Sequence, residues 1–243
     1  MSDLANYQEL ARRYGFAPKL ESASRLTQLV ARQDCDVDEI VKVINRDPAL
    51  RERLLRAANP EAENAVEYTV ETVEEALMRQ GVGCAMVLAM GTPLALALIK
   101  TFQTMLSLKL QMIDRHQGEP LEEEHLLGTI TFSGRVRGGV YLRMNRSSAQ
   151  AVAAGILGLP PEEMKDPGEI SDATGELLNI MTGNFKSNLC DAGLDCRLQP
   201  PDVRFTNDSH SPKVPGGGME HMAFQIGKIQ LFVDVTANPW NDE

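Results

Sequence analysis

Gln80–Met112, QGVGCAMVLAMGTPLALALIKTFQTMLSLKLQM, is the stretch on which the fold turns. From Gln80 to Ile99 it carries no charge, and ~20 consecutive apolar residues would span a bilayer. Gly81, Gly83, Gly91, Thr92 and Pro93 interrupt it, however. The sequence predicts a short helix from about Val82 to Met90 and a second beginning near Pro93, with proline in the first turn, where its missing N–H costs little. No membrane span is expected. Near residue 105 the apolar period changes from about 3.6 to 2. Leu106, Leu108, Leu110 and Met112 alternate with Ser107, Lys109 and Gln111, which reads as a half-buried strand.

Upstream the pattern is helical throughout. Leu26, Leu29 and Val30 share a face, and Asp36-Val-Asp-Glu39 has the spacing of a capping box ahead of Ile40, Val41, Val43 and Ile44. Asp47-Pro48 starts another helix, with Asp as N-cap and Pro at N1; it carries Leu50, Leu54 and Leu55 and stops at Asn59-Pro60. Thr72 and Glu75 repeat the capping spacing, and Gly81 is a C-terminal stop signal. Short helices on short turns predict a bundle.

Downstream, Thr129–Phe132 and Val140–Met144 read as antiparallel strands joined through Gly134 to Gly139. Met222/Phe224/Ile226 and Ile229/Leu231/Val233/Val235 alternate around a two-residue Gly227-Lys228 turn. Helices are expected at about Ser148–Leu157 and Glu169–Cys190. The fold class is therefore α+β: an all-helical unit over residues 1–91, then a mainly antiparallel sheet with packed helices over 92–243. Residues 207–220, NDSHSPKVPGGGME, read as linker, because the GGG lacks the Lys-Ser/Thr of a phosphate cradle.

A formal charge of -10 over 243 residues argues against a nucleic-acid partner, which needs a basic face. Four cysteines at 35, 84, 190 and 196 form no CxxC pair, and the four histidines are scattered. No metal site and no bound cofactor are expected, and the thiols fit a reducing cytoplasm. The N-terminal MSDLANYQELARRYGF lacks the basic and apolar blocks of a secretory leader.

The chemistry is concentrated in Glu169–Cys190, EISDATGELLNIMTGNFKSNLC. On a helix, Ile170, Ala173, Leu177, Ile180, Met181 and Phe185 share one side. Asp172, Glu176, Asn179, Gly183 and Lys186, at i, i+4, i+7, i+11 and i+14, form one stripe on the other. Any amphipathic helix has a polar face. This one favours Asp, Asn and Gly, poor helix formers, where a solvated face would take Glu, Lys and Arg. Gly175 and Gly183 each cost ~1 kcal/mol relative to Ala, which suggests that something must approach the backbone closely.

Asp172-x3-Glu176-x2-Asn179, followed by Ile-Met-Thr-Gly-Asn, resembles the signature of the CheC/CheX/FliY family of chemotaxis phosphatases, which also carries a downstream proline that Pro200 or Pro201 would fill. The resemblance spans about Thr92–Glu243 and is nearest to CheX, since one signature is present and not two. It implies hydrolysis of the aspartyl phosphate of a CheY-like response-regulator receiver domain, with Glu176 and Asn179 as the catalytic pair. Asp172, Gly175, Gly183 and Lys186 would dock the partner, and Mg²⁺ would come with the partner. It also implies a homodimer, for which Ile229–Val235 reads as an exposed edge strand. The alternative is a receiver-binding or adaptor module without turnover. INRDPALRERLLRAANP with TVETVEEALMRQG resembles the early helices of an HDOD domain, a relative of metal phosphohydrolases without their His-Asp ligands. Residues 1–91 contain no His, so adaptor or dimerisation duty is expected there.

Overall fold

The computed structural model describes residues 20–30, 32, 36–59, 69–113, 120–134, 136–191, 195–208 and 218–239. Cys35 and residues 209–217 of the linker-like loop lie outside the described residues.

Among the described residues three short helices come first: α1 (Leu20–Val30), α2 (Val37–Asn45) and α3 (Pro48–Ala58). Their starts follow local chemistry. Asp36 caps α2 by accepting the N–H of Asp38 at 3.0 Å, and Asp47 caps α3 through Leu50, with Pro48 at the first helical position. Asn59 ends α3, and its amide exchanges hydrogen bonds with both backbone groups of Val70, at 2.8 and 2.9 Å. That contact ties the end of α3 to the approach of α4 (Val73–Leu106), which the Thr72–Glu75 capping box starts.

Helix α4 spans 34 residues with a kink at Gly81, the position of the expected stop, and corrects other expectations. The helix passes through Pro93, where a second helix was expected to begin; the departure from helical backbone is at Gly81, with φ 78° and ψ 160°. Only glycine reaches that conformation without strain. The border expected between residues 91 and 92 thus falls inside a continuous helix. The strand expected from Leu106 also begins later: α4 ends at Leu106, Ser107 caps it in the left-handed region, and β1 is Gln111–Ile113.

The described strands form one antiparallel sheet. Its strands are β1, β2 (His125–Gly134), β3 (Val136–Asn145), β4 (Cys196–Leu198), β5 (Asp202–Thr206), β6 (Gly218–Ile226) and β7 (Ile229–Pro239). The order is β1-β6-β7-β3-β2-β4, with β5 also on β2. The β2–β3 and β6–β7 hairpins fall where the sequence placed them, in the registers Ile130↔Val140 and Ile226↔Ile229. β7 is not an edge, however. It lies between β6 and β3, and Phe232 is buried, so the edge argument for a homodimer fails.

Helices α4, α5 (Arg146–Leu157) and α6 (Pro167–Asp191) cover one face of the sheet. Ile130, Phe132, Val140, Leu142, Met222, Phe224, Leu231 and Val233 meet Met90, Leu98, Phe102, Val152, Leu177 and Phe185 in the larger core. Phe132 and Phe185 pack edge to face, 6.0 Å between centroids. A second core joins α1–α3 to the first half of α4 through Leu26, Ile40, Ile44, Leu50, Leu54, Leu77 and Leu88. On the opposite sheet face a buried Arg143–Asp234 ion pair is extended by His221 Nδ1, 2.6 Å from the Asp234 carboxylate.

The two cores are also linked by charge. Arg53 of α3 pairs with Glu220 of β6, both largely buried, and Arg53 also reaches the Leu88 carbonyl at 3.4 Å. A Cβ at Gly91 would sit 2.8 Å from the Glu220 side chain, so glycine there gives the carboxylate its room. Removing one partner of a largely buried pair leaves the other charge desolvated. Glu220→Ala is expected to cost about 2 kcal/mol of stability, and the double replacement Arg53→Met, Glu220→Met to recover most of that. Urea unfolding measures both; an unchanged Glu220→Ala midpoint would show that the pair contributes nothing.

Candidate functional site

Helix α6 begins where Asp166 accepts the N–H of Glu169 at 3.0 Å, with Pro167 as its first residue. This is the same Asp-Pro device that starts α3, and it places the start two residues earlier than expected. Ile170, Ala173, Leu177, Leu178, Met181, Phe185 and Leu189 bury one side in the larger core. Ile180, expected on that side, is only half-buried. Asn184 donates to Thr101 of α4 at 3.2 Å, and Thr182 to the Leu178 carbonyl at 2.7 Å. The helix is therefore held along its length by α4, α5 and the sheet.

The other side matches the expected stripe in part. Asp172, Glu176 and Asn179 are exposed, and Gly183 and Lys186 are half-buried. Among the described residues, the side chains of Asp172, Glu176 and Asn179 make no hydrogen bond or ion pair. A carboxylate and a carboxamide one turn apart are thus presented to solvent with their bonding capacity unspent.

The two glycines of α6 separate. Gly175 is buried, and a Cβ there would lie 3.7 Å from Val203 of β5. It packs against β5 inside the protein, so it does not face a partner as expected. Among the described residues nothing lies within 4 Å of a Cβ position at Gly183, and its backbone is not in the left-handed region. Pro200 and Pro201 lie between β4 and β5, Pro200 exposed and Pro201 half-buried.

A cleft of about 560 Å³ opens at the far end of α6, lined by Ser133, Gly134, Lys186, Cys190, Asp195, Cys196 and Arg197. Lys186 therefore borders this cleft. Burial pushes the Cys196 thiol up to about 11; nearby Cys190 adds to the rise, and Lys186 opposes it. Burial likewise raises Cys84, with Arg53 opposing. Among the described residues no group of three His, Cys, Asp or Glu side chains would hold a metal ion.

Residues 126–221 match the family model of chemotaxis phosphatase CheX, and residues 18–117 match that of the HDOD domain. The HDOD match runs through α4, past residue 91. No curated protein sequence matches the chain. Among solved structures, the chemotaxis protein CheX from Vibrio vulnificus aligns with a TM-score of 0.52 and 23% identity, over 61% of this chain and 96% of that chain. A CheX from Desulfovibrio desulfuricans gives 0.50 and 18%, over 61% and 99%. The CheX–CheY–BeF3–Mg²⁺ complex from Borrelia burgdorferi gives 0.48 and 18%, over 60% and 95%. The sheet with its packed helices is thus a CheX-like fold, preceded by helices that match the HDOD model.

The burial of Gly175 has a measurable consequence. Gly175→Ala is expected to be tolerated, because 3.7 Å is an ordinary contact and Ala is the better helix former. Gly175→Leu forces α6 off β5 and is expected to cost about 1–3 kcal/mol. Thermal unfolding of the two variants distinguishes this from a docking role, in which Leu would leave stability unchanged.

Proposed function

We propose that this chain hydrolyses the aspartyl phosphate of a CheY-like response-regulator receiver domain, with α6 as the docked element and Glu176 and Asn179 as the working pair. The observation that carries the reading is the exposed, unengaged Glu176–Asn179 pair on a helix fixed by its core, inside the segment that matches the CheX family model. The exposed stripe suits a substrate that is itself a folded surface, since the groups stand out from the helix and are not enclosed by it.

The chemistry asks little of the enzyme. An acyl phosphate is already activated, so hydrolysis needs an in-line water and neutralised charge, not an enzyme nucleophile. Water attacks phosphorus, the bond from phosphorus to the aspartyl oxygen breaks, and the carboxylate and inorganic phosphate leave. Asn179 can accept from and donate to that water while staying uncharged beside the phosphoryl group. Glu176 pairs with a lysine beside the phosphorylation site of the partner and so aims Asn179. Asp172, at the N-terminal end of the stripe, docks, and Lys186 marks its far end. Mg²⁺, when present, is held on the receiver side and offsets phosphoryl charge. The N-terminal unit, residues 1–91, serves as adaptor or dimerisation unit, and the protein acts in the cytoplasm as a homodimer; sedimentation at tens of micromolar tests the dimer.

Asn179→Ala is expected to lower the rate about a hundredfold, ~3 kcal/mol in the barrier, with little change in KM, because the water is oriented mainly in the transition state. Glu176→Ala is expected to lower affinity and rate together, since its lysine partner is present in the ground state. Phosphate release from a phosphorylated receiver domain measures both. Asn179→Ala turnover equal to the parent's would leave a receiver-binding module without catalysis.

A further inference from the structure

We infer that Gly183 is the point of closest approach between this chain and its receiver-domain partner, an inference that rests on the function proposed above. Each glycine kept inside a helix lowers helix stability, so its presence needs a reason. The fold limits position 175 to a small side chain, because it is buried against Val203. Among the described residues it sets no such limit at Gly183. The residue sits mid-helix without positive φ, is half-buried at the surface, and a Cβ there would meet nothing within 4 Å among the described residues. Neither backbone conformation nor packing among the described residues asks for glycine, so we assign the demand to the docked partner.

Position says what the demand is. Gly183 follows Asn179 by four residues and Glu176 by seven, about 6 and 10 Å along the axis on the same stripe. The polar groups around it are turned elsewhere: Asn184 to Thr101 at 3.2 Å, Thr182 to the Leu178 carbonyl at 2.7 Å, and Ser187 to the carbonyl of Gly183 at 3.1 Å. A bare patch of helix backbone therefore lies one turn beyond the carboxamide. A loop of the receiver domain can settle on it, and the closeness of that contact sets how tightly the receiver is held. Gly183 is thus a docking residue, whose loss changes affinity and not the chemical step.

The test uses the full chain with a CheY-type receiver domain, phosphorylated by acetyl phosphate for turnover or loaded with beryllofluoride and Mg²⁺ for binding. Gly183→Ala is expected to melt above the parent, since Ala is the better helix former. Its KM and its Kd for the beryllofluoride form are expected to rise at least fivefold with kcat nearly kept, and Gly183→Gln to raise them further. Asn179→Ala gives the opposite split, a fall in kcat at the parent's KM. Gly183→Ala with the parent's KM and Kd, beside an impaired Asn179→Ala, overturns this inference and leaves the phosphatase reading standing. A parent chain that neither binds nor hydrolyses any of the receiver domains overturns both.

Discussion

A helix that is apolar on every side must be walled in on every side, and α4 imposes that requirement on the whole chain. Cys84, Ala85, Leu88 and Ala89 face the core shared with α1–α3, while Met86, Val87, Met90 and Leu94 face the sheet. The same turns of one helix thus belong to two cores. An isolated span of this composition would be at home in a bilayer, and α4 is the one helix among the described residues long and apolar enough to cross it. Here 81% of its most apolar window is buried inside the protein. The covering helices α1–α3 supply part of that burial, so the helical segment and the sheet stabilise each other through α4. The Arg53–Glu220 pair adds a directional link between the same two parts.

The position of α6 follows from that of α4. Phe102 and Leu98 share the larger core with Leu177, Met181 and Phe185, and the Asn184–Thr101 bond fixes rotation about the axis. Rotating a helix by one residue moves every side chain by ~100°, which would carry Glu176 and Asn179 out of the exposed stripe. The buried side therefore determines the exposed one. The exposure of Asp172, Glu176 and Asn179 is a consequence of how completely the other face is used.

Much of this was legible in the sequence because it is local. The Thr72–Glu75 box, the Asp47-Pro48 start, the Gly81 break and the Gly227-Lys228 turn depend on residues within a few positions of one another, and each appears in the structure. The misreadings have one cause, tertiary context overriding local preference. Proline at 93 removes one helical N–H and signals a start, yet burial on two sides holds the helix through it. The alternation from Leu106 to Met112 mixes the last turn of a helix with a short strand. β7 read as an edge because pattern gives strand faces but not strand order. Arg53 and Glu220, 167 residues apart, left no local signal at all. The stripe of α6 was legible as a stripe, but Gly175 and Gly183 look alike in sequence and only the position of Val203 separates them.

The proposed site makes sense of a polar face that is otherwise expensive. Exposed Asn and Gly weaken a helix where Glu, Lys or Ala would strengthen it, and Glu176 and Asn179 make no bond within the described chain to offset this. Stability lost at those positions is recovered from the buried side, where α6 contributes Leu177, Leu178, Met181 and Phe185, all fully buried. A site that supplies only a water-orienting amide and an anchoring carboxylate depends on placing them accurately, because misplacement by ~1 Å can cost a hundredfold in rate. A long helix packed against two others and a sheet provides that accuracy, whereas a loop carrying the same two side chains would have to gain it on binding. The unfavourable residues therefore sit on the element best able to carry them, and the core around α4 is what makes that element rigid.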